Sequence, residues 1–149
     1  MTTPFQYVLR VRYHECDGQK VVFNARYAEY VDVAALEYTR AIFGGAQPAD
    51  GGFDWRLVHQ SIDWKAPASF DDVLSVDVRT ESVGNTSFTL LCEVRNSADQ
   101  SLLVASKTVY VVYDESSGKV QITDEMRTKL LEGAPSVVVD CSGQTPPSP

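Results

Sequence analysis

Histidine and cysteine are scarce in this chain of 149 residues. There are two histidines, His14 and His59, and three cysteines, Cys16, Cys92 and Cys141. With so few histidines, a Ser-His-Asp or Cys-His catalytic set is poorly supported. The cysteines are an odd, scattered set without C-x-x-C spacing, so neither a zinc site nor a disulfide framework is expected. Reduced thiols in a cytoplasmic protein are the simplest interpretation.

Positive charge and long apolar runs are also in short supply. The 13 Lys and Arg residues are outnumbered by 20 Asp and Glu residues, for a net charge of −7. This balance argues against a general nucleic-acid-binding surface, although a local basic cluster could still hold an anionic ligand. No apolar run approaches the ~18 residues that a membrane span needs. No basic segment followed by an apolar one opens the chain, so a secretory signal is not expected.

What the chain does contain is a clear alternation of apolar and polar residues, which predicts five strands. They are expected at 5–13, 53–64, 72–83, 86–95 and 101–113. Apolar residues at steps of three and four predict one long helix from Asn24 to about Phe43, with Asn24 as N-cap and Gly44 at its end. Thr123 is expected to cap a short second helix that runs through Leu131.

This pattern predicts an α+β fold, with a long central helix packed on a five- to six-stranded antiparallel sheet. The domain is expected to span 1–135, and 136–149 to form a tail, flexible in its proline-rich part, with a short edge strand at 137–139. A single helix covers only part of such a sheet. The remaining apolar surface predicts an oligomer.

The stretch 13–27 carries the strongest chemical signal. Asp17 lies in a turn that joins a strand to the long helix. The free N–H groups at a helix N-terminus favour negative charge, so a carboxylate beside them can serve a reaction that builds an oxyanion. The alternative is that Asp17 only caps N–H groups of its own turn. Cys16 adjoins it but should face the other way, as a buried filler.

Three motifs, which follow one another along the chain, resemble those of hotdog-fold proteins. Within that fold they resemble the 4-hydroxybenzoyl-CoA thioesterase-like family, which hydrolyses acyl-CoA thioesters. The first runs from Asp17 to Tyr27 and includes Asn-Ala-Arg-Tyr at 24–27. The second, at 59–68, resembles the family's strand ending in Ile-Asp-aromatic-x-x-Pro-Ala. The third, at 71–88, resembles its Gly-Asp-x-Leu…Ile-Gly-x-x-Ser segment.

The resemblance implies a site and a mechanism. Asp17 would be the base or nucleophile, and the backbone N–H groups of Phe23 and Asn24 would bind the oxyanion. No metal and no cofactor other than the coenzyme A of the substrate are implied. The family's site lies between two subunits, so a homodimer or homotetramer is expected. The residues expected to bind substrate are Val22, Tyr27, His59, Trp64, Lys65 and Ser87.

Several of these residues also have ordinary structural interpretations. His59 could be an ordinary strand histidine, and Ser87 could simply stabilise the turn at Gly84. Tyr27 and Trp64 could be core residues first and pocket walls second. The candidates for the CoA phosphates are basic residues that could equally be surface charges, namely Lys65, Arg79, Arg95 and Lys107.

The chain departs from the family pattern at Lys20-Val21, where many relatives have a glycine. Losing that glycine reduces the freedom of the turn. Two other functions stay open at this point. One is a non-catalytic module that binds acyl-CoA or an acyl carrier. The other is a hotdog dehydratase, which relies on an Asp/His or Glu/His pair, and no fitting histidine follows the turn here.

Overall fold

The computed structural model describes residues 3–45 and 54–144, and these residues form seven strands and two α-helices. Neither helix is long and apolar enough to cross a membrane. The elements are β1 (Phe5–Arg10), a 3-10 helix (Tyr13–Glu15), α1 (Arg26–Phe43), β2 (Asp54–Trp64), β3 (Val73–Val83), β4 (Ser87–Asn96), β5 (Leu102–Asp114), β6 (Gly118–Lys119), α2 (Asp124–Glu132) and β7 (Val138–Asp140).

The strands form one mostly antiparallel sheet in the order β2-β5-β4-β3-β1-β7, with β6 paired to β5. Two of the seven strands have only two or three residues, which is why the sequence indicated five or six. Strands β3, β4 and β5 follow one another as hairpins. Strand β2, however, pairs with β5 at the far edge rather than with its sequence neighbour β3. The order of the strands in the sheet therefore departs from their order in the sequence at β2.

Strand β1 ends three residues earlier than the alternating pattern predicts. Its pairing with β3 stops at Arg10, and a 3-10 helix begins at Tyr13. The strand ends early because a side chain close in sequence bends the backbone. The Glu15 carboxylate accepts the backbone N–H of Arg12 at 2.7 Å and closes a tight turn. Tyr13, expected to continue the strand, is instead 81% exposed.

Helix α1 packs its predicted apolar stripe against one face of the sheet, where it contacts β1 and β3. Its buried residues are Tyr27, Tyr30, Val31, Ala34, Ala35, Tyr38 and Thr39. At 18 residues it is about 27 Å long. The predicted N-cap is wrong: the N-cap is Ala25, no side chain caps this end, and Asn24 precedes it. The helix ends as predicted at Gly44, whose φ of 77° lets its N–H reach the Arg40 carbonyl.

The C-terminal part returns to the sheet beside β1. Helix α2 is capped by the Thr123 hydroxyl, which accepts the N–H of Met126, as predicted. Strand β7 then pairs in parallel with β1. The first part of the predicted tail is therefore an edge strand, and Ser142 after it is buried. Phe53 and 145–149 lie outside the described residues.

Candidate active site

The turn that carries Asp17 is tight and doubly hydrogen-bonded. The Asp17 N–H donates to the Val21 carbonyl at 2.9 Å, and the Lys20 N–H donates to the Asp17 carbonyl at 3.0 Å. Lys20 has a φ of 66°, the left-handed conformation that favours glycine. A lysine there costs about 1 kcal/mol of backbone strain. The missing glycine thus leaves a strained but closed turn.

The Asp17 carboxylate is half-buried and held at one oxygen. Its Oδ1 accepts the N–H of Gln19 at 2.8 Å. No donor to Oδ2 is found among residues 3–45 and 54–144. Asp17 therefore caps its own turn, which was the alternative to a catalytic role. Its second oxygen still remains available for chemistry.

A cavity of about 490 Å³ opens beside this carboxylate, between the turn, the start of α1 and the end of β2. It brings together most of the predicted site residues: Asp17, Val22, Phe23, Asn24, Tyr27, Trp64 and Lys65. Four residues that were not predicted complete its lining: Gln19, Val21, Ala66 and Pro67. Residues distant in sequence thus converge on one open, mixed polar and apolar cleft.

Two predicted residues lie outside this cavity. His59 is exposed in the middle of β2, opposite Val109. It is five residues before Trp64, a separation of about 17 Å along an extended strand. Ser87 begins β4, and its carbonyl accepts the Gly84 N–H at 2.7 Å. This contact matches the alternative that Ser87 stabilises its turn.

Backbone contacts fix the cavity walls. The buried Tyr27 hydroxyl accepts the Ala68 N–H at 3.1 Å, and the Ala68 carbonyl accepts the Val22 N–H at 2.9 Å. On the other wall the Trp64 indole N–H donates to the Asn24 carbonyl at 3.1 Å. Tyr27 is therefore a wall residue whose hydroxyl is already used in holding the wall.

The donors at the entry to α1 are not equivalent. The Phe23 N–H donates to the Glu15 carbonyl at 2.9 Å, so this donor is already occupied. The Asn24 N–H has no backbone acceptor in the described part of the chain. The positive end of the α1 dipole lies at the same place. Of the two predicted oxyanion donors, only Asn24 is open to a ligand.

Lys65 is distinguished from the other phosphate candidates by its surroundings. It lines the cavity and forms no ion pair within the described ranges. The other three candidates are paired on the sheet: Arg79 with Glu93 at 3.6 Å, Arg95 with Glu93 at 2.7 Å, and Lys107 with Glu81 at 3.0 Å. Of the four candidates, only Lys65 both lines the cavity and has no carboxylate partner among the described residues.

The Cys16 thiol is poorly suited to act as a nucleophile. Its burial raises the pKa, and the neighbouring carboxylates of Glu15 and Asp17 raise it further. The reactive thiolate form is therefore disfavoured. Among residues 3–45 and 54–144, no cluster of three or more His, Cys, Asp or Glu side chains could hold a metal ion.

Comparison with known families settles the class. The sequence profile of the Thioesterase superfamily matches residues 19–102, more than half of the chain. The chain belongs to the thioesterase superfamily. The matched segment begins two residues after Asp17, so it covers the cavity walls but not this carboxylate.

This thioesterase also resembles individual proteins. Acyl-CoA thioester hydrolase YbgC of Escherichia coli O6:H1 is 27% identical over 114 residues, which are 76% of this chain and 84% of that protein. The crystal structure of a hypothetical protein from Aquifex aeolicus has a TM-score of 0.77 at 25% identity, covering 85% and 99% of the two chains. A 1,4-dihydroxy-2-naphthoyl-CoA thioesterase from Synechocystis has a TM-score of 0.75 at 23% identity, covering 85% and 94%. These likenesses confirm the predicted hotdog fold.

Sequence reasoning missed one group of residues behind the turn of this thioesterase. Glu15 was not among the predicted site residues, and it faces a separate cavity of about 290 Å³. It is also almost fully buried and bonded to Arg12 and Tyr30. The i,i+3 spacing of Arg12 and Glu15 was the available signal.

Proposed function

We propose that this thioesterase hydrolyses an acyl-CoA or acyl-carrier thioester in the cavity beside Asp17. The main support is that three groups border the same cleft: the Asp17 carboxylate, the N-terminus of α1 and Lys65. Among the described residues, one Asp17 oxygen has no donor and Lys65 has no carboxylate partner. The likeness to the acyl-CoA thioester hydrolase YbgC supports this substrate class.

Two roles are open for Asp17, and neither requires a metal or a cofactor. As general base, its free oxygen takes a proton from water while the water oxygen attacks the thioester carbonyl carbon. As nucleophile, the same oxygen attacks that carbon directly and forms a mixed anhydride, which water then hydrolyses. In both routes the C–S bond breaks, the thiolate leaves and takes up a proton, and the free acid remains.

The tetrahedral intermediate of either route carries its negative charge on the former carbonyl oxygen. The Asn24 N–H and the positive end of α1 are the groups that would stabilise it. One such donor is typically worth about 3 kcal/mol of transition-state stabilisation. In our proposal the Phe23 N–H, which is bonded to Glu15, has no part in this role.

The outer part of the cavity suits a thiol carrier that bears phosphate groups. The Lys65 ammonium would pair with a phosphate, because none of the carboxylates in the described part of the chain pairs with it. The exposed rings of Phe23 and Trp64, 49% and 54% exposed, would cover an apolar acyl or pantetheine segment.

We also propose that a second copy of the chain completes the site. Strand β2 is an edge strand of the sheet, and it carries exposed Leu57 and Val58, 46% and 57% exposed. Such an edge invites pairing with another strand. Covering it would shelter the cavity end at Trp64 and could bring His59 of one copy towards the site of the other. The mass in solution, measured by sedimentation, tests this proposal, and a monomer would contradict it.

The experiment that tests the function is thiol release from a panel of acyl-CoAs, with the matching pantetheine thioesters alongside. We expect turnover with at least one class of acyl group, and a lower KM for the CoA form because of its phosphates. Tight binding without thiol release would overturn the proposal in favour of a binding module. Hydration or loss of an enoyl-CoA, read from its absorbance, would indicate a dehydratase.

A further inference from the structure

Glu15 is a buried carboxylate with an unusually complete set of hydrogen-bond donors. It is 2% exposed. Its Oε1 accepts the Arg12 backbone N–H at 2.7 Å and the Tyr30 hydroxyl at 3.0 Å, and its Oε2 accepts the Arg12 guanidinium at 3.0 Å. A buried charge is tolerated only when it is satisfied in this way. The cluster therefore fixes the side chain in one position.

The backbone of Glu15 is fixed as tightly, and on both sides of the catalytic turn. Its N–H donates to the Arg12 carbonyl at 3.0 Å. Its own carbonyl accepts the Phe23 N–H at 2.9 Å, across the turn. The next residue, Cys16, pairs with Val22 in an antiparallel bridge. Residues just before and just after the Asp17 turn are thus tied through Glu15.

Tyr30 connects Glu15 to α1, and we call Glu15, Arg12 and Tyr30 together the Glu15 anchor. Tyr30 lies on the first part of α1, is 5% exposed, and donates its hydroxyl to Glu15. The turn and the helix N-terminus are consequently held to the same carboxylate. The distance between Asp17 and the Asn24 N–H depends on how these two parts are held together.

We propose that Glu15 is a positioning residue, which with Arg12 and Tyr30 holds the Asp17 turn in register with the N-terminus of α1. This proposal rests on the proposed role of Asp17. Glu15 does not line the Asp17 cavity, so it acts through the backbone and not on the substrate. Misplacing a reacting group by 1 Å can cost about 100-fold in rate, so such an anchor matters for turnover.

The gentlest test is Tyr30→Phe, which removes one hydroxyl from the anchor. The matched control is Tyr38→Phe, two turns further along α1, where the lost hydroxyl pairs with Thr80 at 2.8 Å. We expect Tyr30→Phe to lower kcat about tenfold with KM within about twofold, because geometry changes and binding does not. The control should leave both constants within about twofold.

A second readout needs no substrate. The Phe23 amide proton is bonded to Glu15, so its hydrogen exchange reports the anchor directly. Exchange should accelerate about tenfold in Tyr30→Phe and stay unchanged in Tyr38→Phe. Unchanged exchange in Tyr30→Phe, or an equal acceleration in the control, overturns the proposal.

Glu15→Gln is the stronger variant, with the exposed Glu125→Gln on α2 as its control. We expect a fall in kcat larger than that of Tyr30→Phe, and no change in the control. If Glu15→Gln does not fold, Tyr30→Phe still decides. If the unaltered chain hydrolyses no thioester, the proposed function fails by itself, whereas the Phe23 exchange still confirms or refutes the anchor.

Discussion

Removing the Tyr27 hydroxyl tests how the cavity wall is held. In Tyr27→Phe the ring keeps its place in the core, but the Ala68 N–H loses its only acceptor among the described residues, at 3.1 Å. Ala68 is fully buried, so water cannot replace the hydroxyl. An unpaired buried donor costs about 1–3 kcal/mol. If the free energy of unfolding falls by about 2 kcal/mol, we expect the melting temperature of a chain of this size to fall by roughly 4–8 °C.

Urea unfolding followed by circular dichroism measures this loss, with Tyr38→Phe as the matched control. Tyr38 also loses one hydrogen bond there, but its partner Thr80 is only partly buried and can turn to water. The control should therefore lose about 1 kcal/mol or less. A loss in Tyr27→Phe no larger than in the control would refute the claim that the hydroxyl satisfies a buried wall amide.

Three further predictions concern charge, thiols and packing. Burial by itself raises the pKa of Glu15, but its hydrogen bonds outweigh burial and hold that pKa below its usual range. Its stabilising effect is therefore present above about pH 4.3 and lost as the pH falls through the lower folded-state pKa. The stability gap between the unaltered chain and Glu15→Gln should narrow at low pH in urea titrations, and a constant gap would contradict this. Burial raises the pKa of Cys92 to about 12, so a thiol reagent read by mass spectrometry should label exposed Cys141 in the native protein and Cys92 only after unfolding. Gly133→Ala places a methyl group 2.8 Å from the Tyr38 hydroxyl at a φ of 67°, and should cost about 1–3 kcal/mol in the same urea assay; a cost near zero would show that this contact gives way freely.

Local periodicity predicted most of the fold because burial repeats at the period of each element. The stripe from Tyr27 to Tyr38 placed α1, and the alternation after Val73 placed β3 and β4 within about a residue. The position of β2 could not be predicted in this way. Its pairing with β5 depends on contacts between residues about fifty positions apart, and no local pattern encodes that choice.

The candidate site was likewise predictable only where local sequence motifs determine it. Residues of the turn and the helix entry converge with Trp64 and Lys65 in one cavity, because the first two motifs specify both its walls. His59 and Ser87 lie outside this cavity. Their distance from Asp17 could not be predicted, because it depends on strand order and register. The Glu15 anchor was missed since a lone acidic residue in sequence gives no sign of the buried tyrosine that bonds to it.

The most direct test of the proposed mechanism is the kcat of Asp17→Asn on a thioester that the unaltered chain hydrolyses. Asparagine keeps an oxygen for the Gln19 N–H, so the turn is preserved while the base or nucleophile is lost. Asp99→Asn is the matched control, because Asp99 accepts the Ser101 N–H at 2.9 Å in the same local arrangement, away from the cavity. We predict that kcat falls about 10²- to 10⁴-fold in Asp17→Asn and is unchanged in Asp99→Asn. Full turnover by Asp17→Asn would contradict the account.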